Sequence, residues 1–185
     1  MRILALSGSL RRASHNRALI RAAAAELPPT VTLEEWDGLA DVPPYDEDAD
    51  VEPAPYAVER LRDALADADA VLISTPEYNA SMPGVLKNAL DWASRPFPAN
   101  ALREKPVAVV GASTGLFGAV WAQAETRKVL KAIGADVLEH ELPVGLAQDA
   151  FGPDGRLVDS DAQARLGAIV QDLVGKASED VPVAA

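Results

Sequence analysis

The chain has 185 residues, 49% of them apolar, with 28 acidic against 17 basic side chains and a formal net charge of −11. That is one domain's length, ample for a sizeable core; no apolar run approaches the roughly 18 residues of a membrane span, and the acidic balance excludes nonspecific nucleic-acid binding, which lysine and arginine clusters carry. Zero cysteines exclude disulfides and thiolate chemistry, and two histidines argue against a histidine metal centre, so any redox chemistry must come from a bound cofactor.

In chain order, apolar runs alternate with helix-like segments. Strands are predicted over Arg2–Leu6, Val31–Trp36, Ala70–Thr75, Pro106–Val110 and Asp136–Glu141. Helices are predicted over Asn16–Leu27, Tyr56–Ala66, Pro83–Ala93, Gly118–Ile133 and Ser160–Val174. Parallel strands need crossovers, so this alternation predicts a doubly wound α/β fold: a five-stranded parallel sheet with helices on both faces. The most apolar strands, Val71–Ser74 and Val107–Val110, belong at the centre, which gives the order 2-1-3-4-5. That order opens a ligand crevice at the carboxyl ends of strands one, three and four. One domain is expected over 1–175, with 176–185 a flexible tail. The proline- and acid-rich segment 37–55 reads as a long surface loop, a solvated linker rather than a lid or subunit contact. A strand-like start followed by a polar loop carries no signal peptide, which predicts a cytoplasmic protein.

Three loops reach the crevice. In the first, Ser7, Ser9 and Ser14 supply hydroxyls, Arg11 and Arg12 supply charge, and Gly8 lets the backbone come close, a set suited to a phosphate. Asn16 stands where the next helix begins, so unpaired N–H groups of its first turn also face the anion. Neither the P-loop nor the G-x-G-x-x-G pattern is present, which favours a terminal phosphomonoester over a bridged pyrophosphate. The second loop, Ser74 to Gly84, is stiffened by Pro76 and Pro83 and carries amide, hydroxyl and aromatic groups suited to a planar heterocycle. Here Ser81 reads equally well as a cap of the following helix. The third, Gly111 to Gly118, offers small polar groups and backbone N–H donors.

The segments G-S-L-R-x-x-S-x-N, Gly8 to Asn16, and P-E-Y-N-x-S-x-P-G-x-L-K-N-A-x-D-W, Pro76 to Trp92, resemble the NADPH-dependent FMN reductase family of flavodoxin-like proteins. By that resemblance, Ser9, Arg11, Ser14 and Asn16 hold the FMN phosphate, with Leu10, Arg12, Ala13 and His15 completing the loop around it. Pro76, Glu77, Tyr78 and Asn79 line the isoalloxazine and ribityl region, and Ser113, Thr114 and Gly115 contact the flavin from the third loop. The resemblance implies hydride transfer from NADPH or NADH through FMN to quinones, flavins or other small acceptors. It also implies a homodimer or homotetramer, with Trp92, Phe97 and the 95–100 segment as a contact region.

Because the flavin carries the redox step, no side chain is assigned as catalytic. Glu77 is left between organising its loop and moving a proton, and Lys87 and Asp91 read as an ion pair four residues apart on one helix. His140 reads as structural. Ala80 stands where some relatives carry an aromatic, which leaves a roomier pocket. The competing reading is a flavodoxin-like electron carrier that holds FMN and serves protein partners through its acidic surface.

Overall fold

The computed structural model describes residues 1–179. Its strands are β1 (Arg2–Ser7), β2 (Thr32–Trp36), β3 (Ala70–Thr75), β4 (Pro106–Ala112), β5 (Asp136–Val137) and β6 (Pro143–Val144). Its α-helices are α1 (His15–Ala24), α2 (Tyr56–Ala66), α3 (Gly84–Ala93), α4 (Val120–Ile133) and α5 (Ser160–Glu179). All pairings are parallel and the order is β2-β1-β3-β4-β5, as expected, with β6 also on β4.

Both central strands, β3 and β4, are buried along their whole length, which is why they read as unbroken apolar runs. Their side chains alternate between two cores. Leu4, Leu6, Val71, Ile73, Val107 and Val109 pack toward α2 and α3, whereas Ile3, Leu72, Ala108 and Val110 pack toward α1 and α5. The register pairs Ser7 with Ser74 and Thr75 with Gly111, so β1, β3 and β4 end level and their loops leave from adjacent positions.

The expected strand over Asp136–Glu141 is instead two short pieces, β5 against the start of β4 and β6 against its end. Between them the buried Gln123 side chain takes over the backbone of Leu142, accepting from its N–H at 3.1 Å and donating to its carbonyl at 3.2 Å. Pro143 then has no N–H to continue the ladder. The last helix passes both the expected end at Val174 and the tail boundary at Lys176, because Ala177 is buried in the core and Lys176 pairs with Asp136. The remainder of the expected tail, 180–185, lies outside the described residues.

The 37–55 segment is not a solvated linker. It contains two short 3-10 turns, Gly38–Asp41 and Glu47–Ala49, and buries Leu39, Val42 and Ala54 in the core with α2 and α3. Tyr45 sits edge-on to the Trp92 ring at 4.9 Å. Trp92 is fully buried inside this chain and is therefore not part of a contact surface, while Phe97 is exposed.

Candidate active site

The first loop leaves β1 through Gly8, where an added Cβ would meet Pro76 at 3.1 Å and Leu86 at 3.2 Å, so only glycine fits without displacement. Ser14 is the N-cap of α1, its Oγ accepting from Asn16 N at 3.2 Å and Arg17 N at 3.3 Å. Its own hydroxyl proton remains available. Ser9, also buried, accepts from Arg11 N at 3.4 Å. Among the described residues, no protein group accepts from the N–H groups of Leu10, Arg12, Ala13, Ser14 or His15. No acidic residue lies in the first turn of α1, in a chain with 28 of them, and neither Arg11 nor Arg12 forms an ion pair among the described residues. Donors, hydroxyls and free positive charge thus converge on a helix N-terminus, the arrangement an anion requires.

Asn16, which the resemblance gives to the phosphate, also has a part in the fold. It lies on the same helical stripe as Leu19, Ile20 and Ala23, which turns its side chain toward the sheet. There Oδ1 accepts from Ser74 Oγ at 2.8 Å and Ala112 N at 3.0 Å, and Nδ2 donates to Ala112 O at 3.0 Å. The amide clamps the ends of β3 and β4 to α1 and keeps a single N–H for a ligand.

The second loop folds back as a tight hairpin, with Tyr78 and Ser81 exchanging both backbone hydrogen bonds across Asn79 and Ala80, at φ of 54° and 60°. Ser81 is not the cap of α3; Pro83 precedes that helix, and Ser81 Oγ donates instead to Glu125 of α4. Glu77 Oε2 accepts from Trp121 N at 3.0 Å and Ala122 N at 3.1 Å. The third loop is held by Ser113 N on Val144 O, Ala147 N on Ser113 O and Leu146 N on Gly115 O. Gly118 there has φ of 56° and lies so close to the Pro143–Val144 backbone that no Cβ could be placed.

One cleft is lined by Ser9, Arg11, His15, Asn16, Pro76, Glu77, Tyr78, Ala112, Ser113 and Thr114. Leu10, Arg12, Ala13, Ser14, Asn79 and Gly115 do not line it; they shape the loops around it. His15 is also stacked parallel to Phe151 with ring centroids 6.4 Å apart, which fastens the first loop to the segment after β6. His140 lies on the surface, paired with Asp172 at 2.7 Å. Sequence reasoning missed Ala112, whose backbone Asn16 reads, and passed over Phe117 and Trp121, exposed aromatics flanking the start of α4 with centroids 5.1 Å apart, which are not among the residues lining this cleft. Two large aromatics beside a glycine-rich loop were the available signal.

A family profile described as NADPH-dependent FMN reductase matches residues 1–149. The chain belongs to this family. It is 42% identical over 174 residues to an NAD(P)H-dependent FMN reductase of Pseudomonas aeruginosa, covering 94% of this chain and 93% of that one. It is 36% identical over 167 residues to a 2-hydroxy-1,4-benzoquinone reductase of a Burkholderia species, covering 90% of each. Among solved structures, the flavoenzyme NAD(P)H:(acceptor) oxidoreductase of Paracoccus denitrificans superposes with a TM-score of 0.83 at 34% identity, covering 96% of this chain and 97% of that one. The residues of this FMN reductase family member fit the cofactor: a donor-rich, acid-free helix N-terminus for the phosphate, and a cleft between two further loops for the ring.

Proposed function

We propose that the protein is an FMN-dependent NAD(P)H oxidoreductase that passes hydride from NADPH or NADH to quinones, flavins or similar small acceptors. The observation that carries this reading is the N-terminus of α1, where Ser14 and the unengaged N–H groups of the loop before it adjoin a cleft that Ser9 and Arg11 share with Pro76–Tyr78 and Ser113–Thr114. FMN, when bound, would supply the two-electron hydride chemistry between nicotinamide and acceptor. The chain's residues bind and orient. Arg11 and the Ser9 and Ser14 hydroxyls neutralise and fix the phosphate. Tyr78, half exposed at the cleft, offers a ring face, and Thr114 N, without a protein acceptor among the described residues, offers a donor to the heterocycle's edge.

A cytoplasmic location goes with this reading, because nicotinamide nucleotides are the electron source; among the described residues no helix is long and apolar enough to cross a membrane. A homodimer or homotetramer is part of the same proposal, supported by exposed Phe97 on the 95–100 segment, and sedimentation would test it.

The experiment is a visible spectrum of the purified protein reconstituted with FMN, followed anaerobically through addition of NADPH and then a quinone. Bleaching by NADPH and recovery on quinone addition are expected. A retained flavin that stays oxidised under NADPH would point to an electron carrier, and failure to retain flavin would overturn the site.

A further inference from the structure

Glu77 lines the cleft, yet its hydrogen bonds run out of it. Trp121 N and Ala122 N, which it binds, are among the orphan donors of α4's first turn. That helix has no cap of its own. Ala119 before it is left-handed, at φ of 61°, with no capping side chain, and the first turn holds no acidic residue. A carboxylate from a distant loop therefore does what a local serine or aspartate does elsewhere. The other side of the hairpin is fastened to the same helix by Ser81 on Glu125. Trp121, whose backbone Glu77 holds, is half exposed and meets the exposed Phe117 edge-to-face.

We propose that Glu77 is a positioning residue for the acceptor: by capping α4 it holds the Trp121–Phe117 pair beside the cleft, as the wall against which a planar quinone-class acceptor packs. The inference rests on the flavin reductase reading. Oε2 is committed to two backbone donors, which gives Glu77 a structural task at the start of α4 that needs no proton transfer. A flat conjugated acceptor suits this wall because two exposed rings, one of them on the residue whose N–H the cleft-lining Glu77 binds, offer faces and edges to a ring and little to a flexible polar molecule.

The test uses E77A, E77Q and W121A. In the FMN-free protein, amide exchange at Trp121 and Ala122 is expected to accelerate about tenfold in E77A, the size of a lost helix cap. E77Q is expected to keep most of the protection, since an amide oxygen still accepts. In the reconstituted enzyme, E77A and W121A raise the KM for a benzoquinone about tenfold, and W121A leaves the KM for NADPH within about twofold. E77Q falls between wild type and E77A, with the wild-type pH profile.

Unchanged amide exchange in E77A would remove the cap, and an unchanged quinone KM in W121A would remove the wall. An E77Q variant as impaired as E77A, with a limb of the pH profile lost, would make Glu77 a proton carrier and overturn the proposal. Wild-type protein that fails to oxidise NADPH would overturn the reductase reading instead, while the exchange measurement would still report on the cap.

Discussion

Trp92 donates its indole N–H to the Pro43 carbonyl at 2.9 Å, and Asn88 Nδ2 donates to the same oxygen at 2.8 Å. Asn88 Oδ1 also accepts from Tyr45 N at 2.7 Å, so one face of α3 clamps the 42–45 backbone. The K-N-A-x-D-W half of the second motif thus fastens a loop. Asn88→Ala leaves this backbone without its partners and is expected to destabilise the protein by about 2 kcal/mol. Thermal unfolding checks the magnitude, and limited proteolysis should cut first within 37–55; a variant as resistant as wild type would sink the clamp.

Farther along the same segment, Asp50 accepts from Arg62 at 2.8 Å and Arg95 at 3.2 Å. Burial pushes the Asp50 carboxyl up, but the hydrogen bonds and charges of Arg62 and then Arg95 outweigh it and hold the carboxyl below its ordinary value. A carboxyl lowered in the folded state adds stability that is fully present above its unfolded value of about 3.9 and is lost as pH falls through the folded one. Wild type minus Asp50→Asn stability should therefore be flat from neutral pH to about pH 5 and shrink below about pH 4. A difference independent of pH, measured by urea unfolding, would contradict this account.

The Tyr78–Ser81 hairpin places Ala80 at φ of 60°, where a Cβ is disfavoured, and such two-residue turns favour Asn-Gly. Ala80→Gly relieves that strain and gives back part of the gain through a looser unfolded chain. The net expectation is about 0.5 to 1 kcal/mol of added stability, read by chemical denaturation. A destabilised variant would mean that the Ala80 methyl makes a contact worth more than the strain.

The sheet order and the convergence of three loops were legible because β3 and β4 are buried on both faces and so read as unbroken apolar runs. The Ser14 cap is a local feature, its Oγ lying two and three residues from the N–H groups it accepts, the range at which sequence carries a signal. What escaped were contacts made at long separation. Asn16 sits in phase with Leu19 and Ala23, so its inward direction was readable, but its partner Ala112 was not. The docked 37–55 loop looked solvated because its prolines and acids dominate, while Leu39, Val42 and Ala54, which bury it, are scattered without a period. Gln123 splits the last strand from a helix, an interruption that strand periodicity does not encode.

Arg11 and Asn16 belong to one motif, yet they predict opposite signatures. Arg11 is exposed, lines the cleft and forms no ion pair among the described residues, so Arg11→Ala removes no contact on which the fold depends. Its unfolding free energy should stay within about 0.5 kcal/mol of wild type. Losing a charge-assisted bond to a phosphate should raise the FMN dissociation constant about 10- to 100-fold. Asn16 is buried and its amide makes three hydrogen bonds to Ser74 and Ala112. Asn16→Ala strips partners from buried groups and should cost about 3 kcal/mol of stability, lowering FMN affinity by loosening the β3 and β4 ends. Denaturation of the FMN-free proteins together with flavin fluorescence titration separates the two. If Arg11→Ala unfolds easily or retains wild-type affinity, the phosphate is held elsewhere; if Asn16→Ala is as stable as wild type, the amide does not clamp these strands.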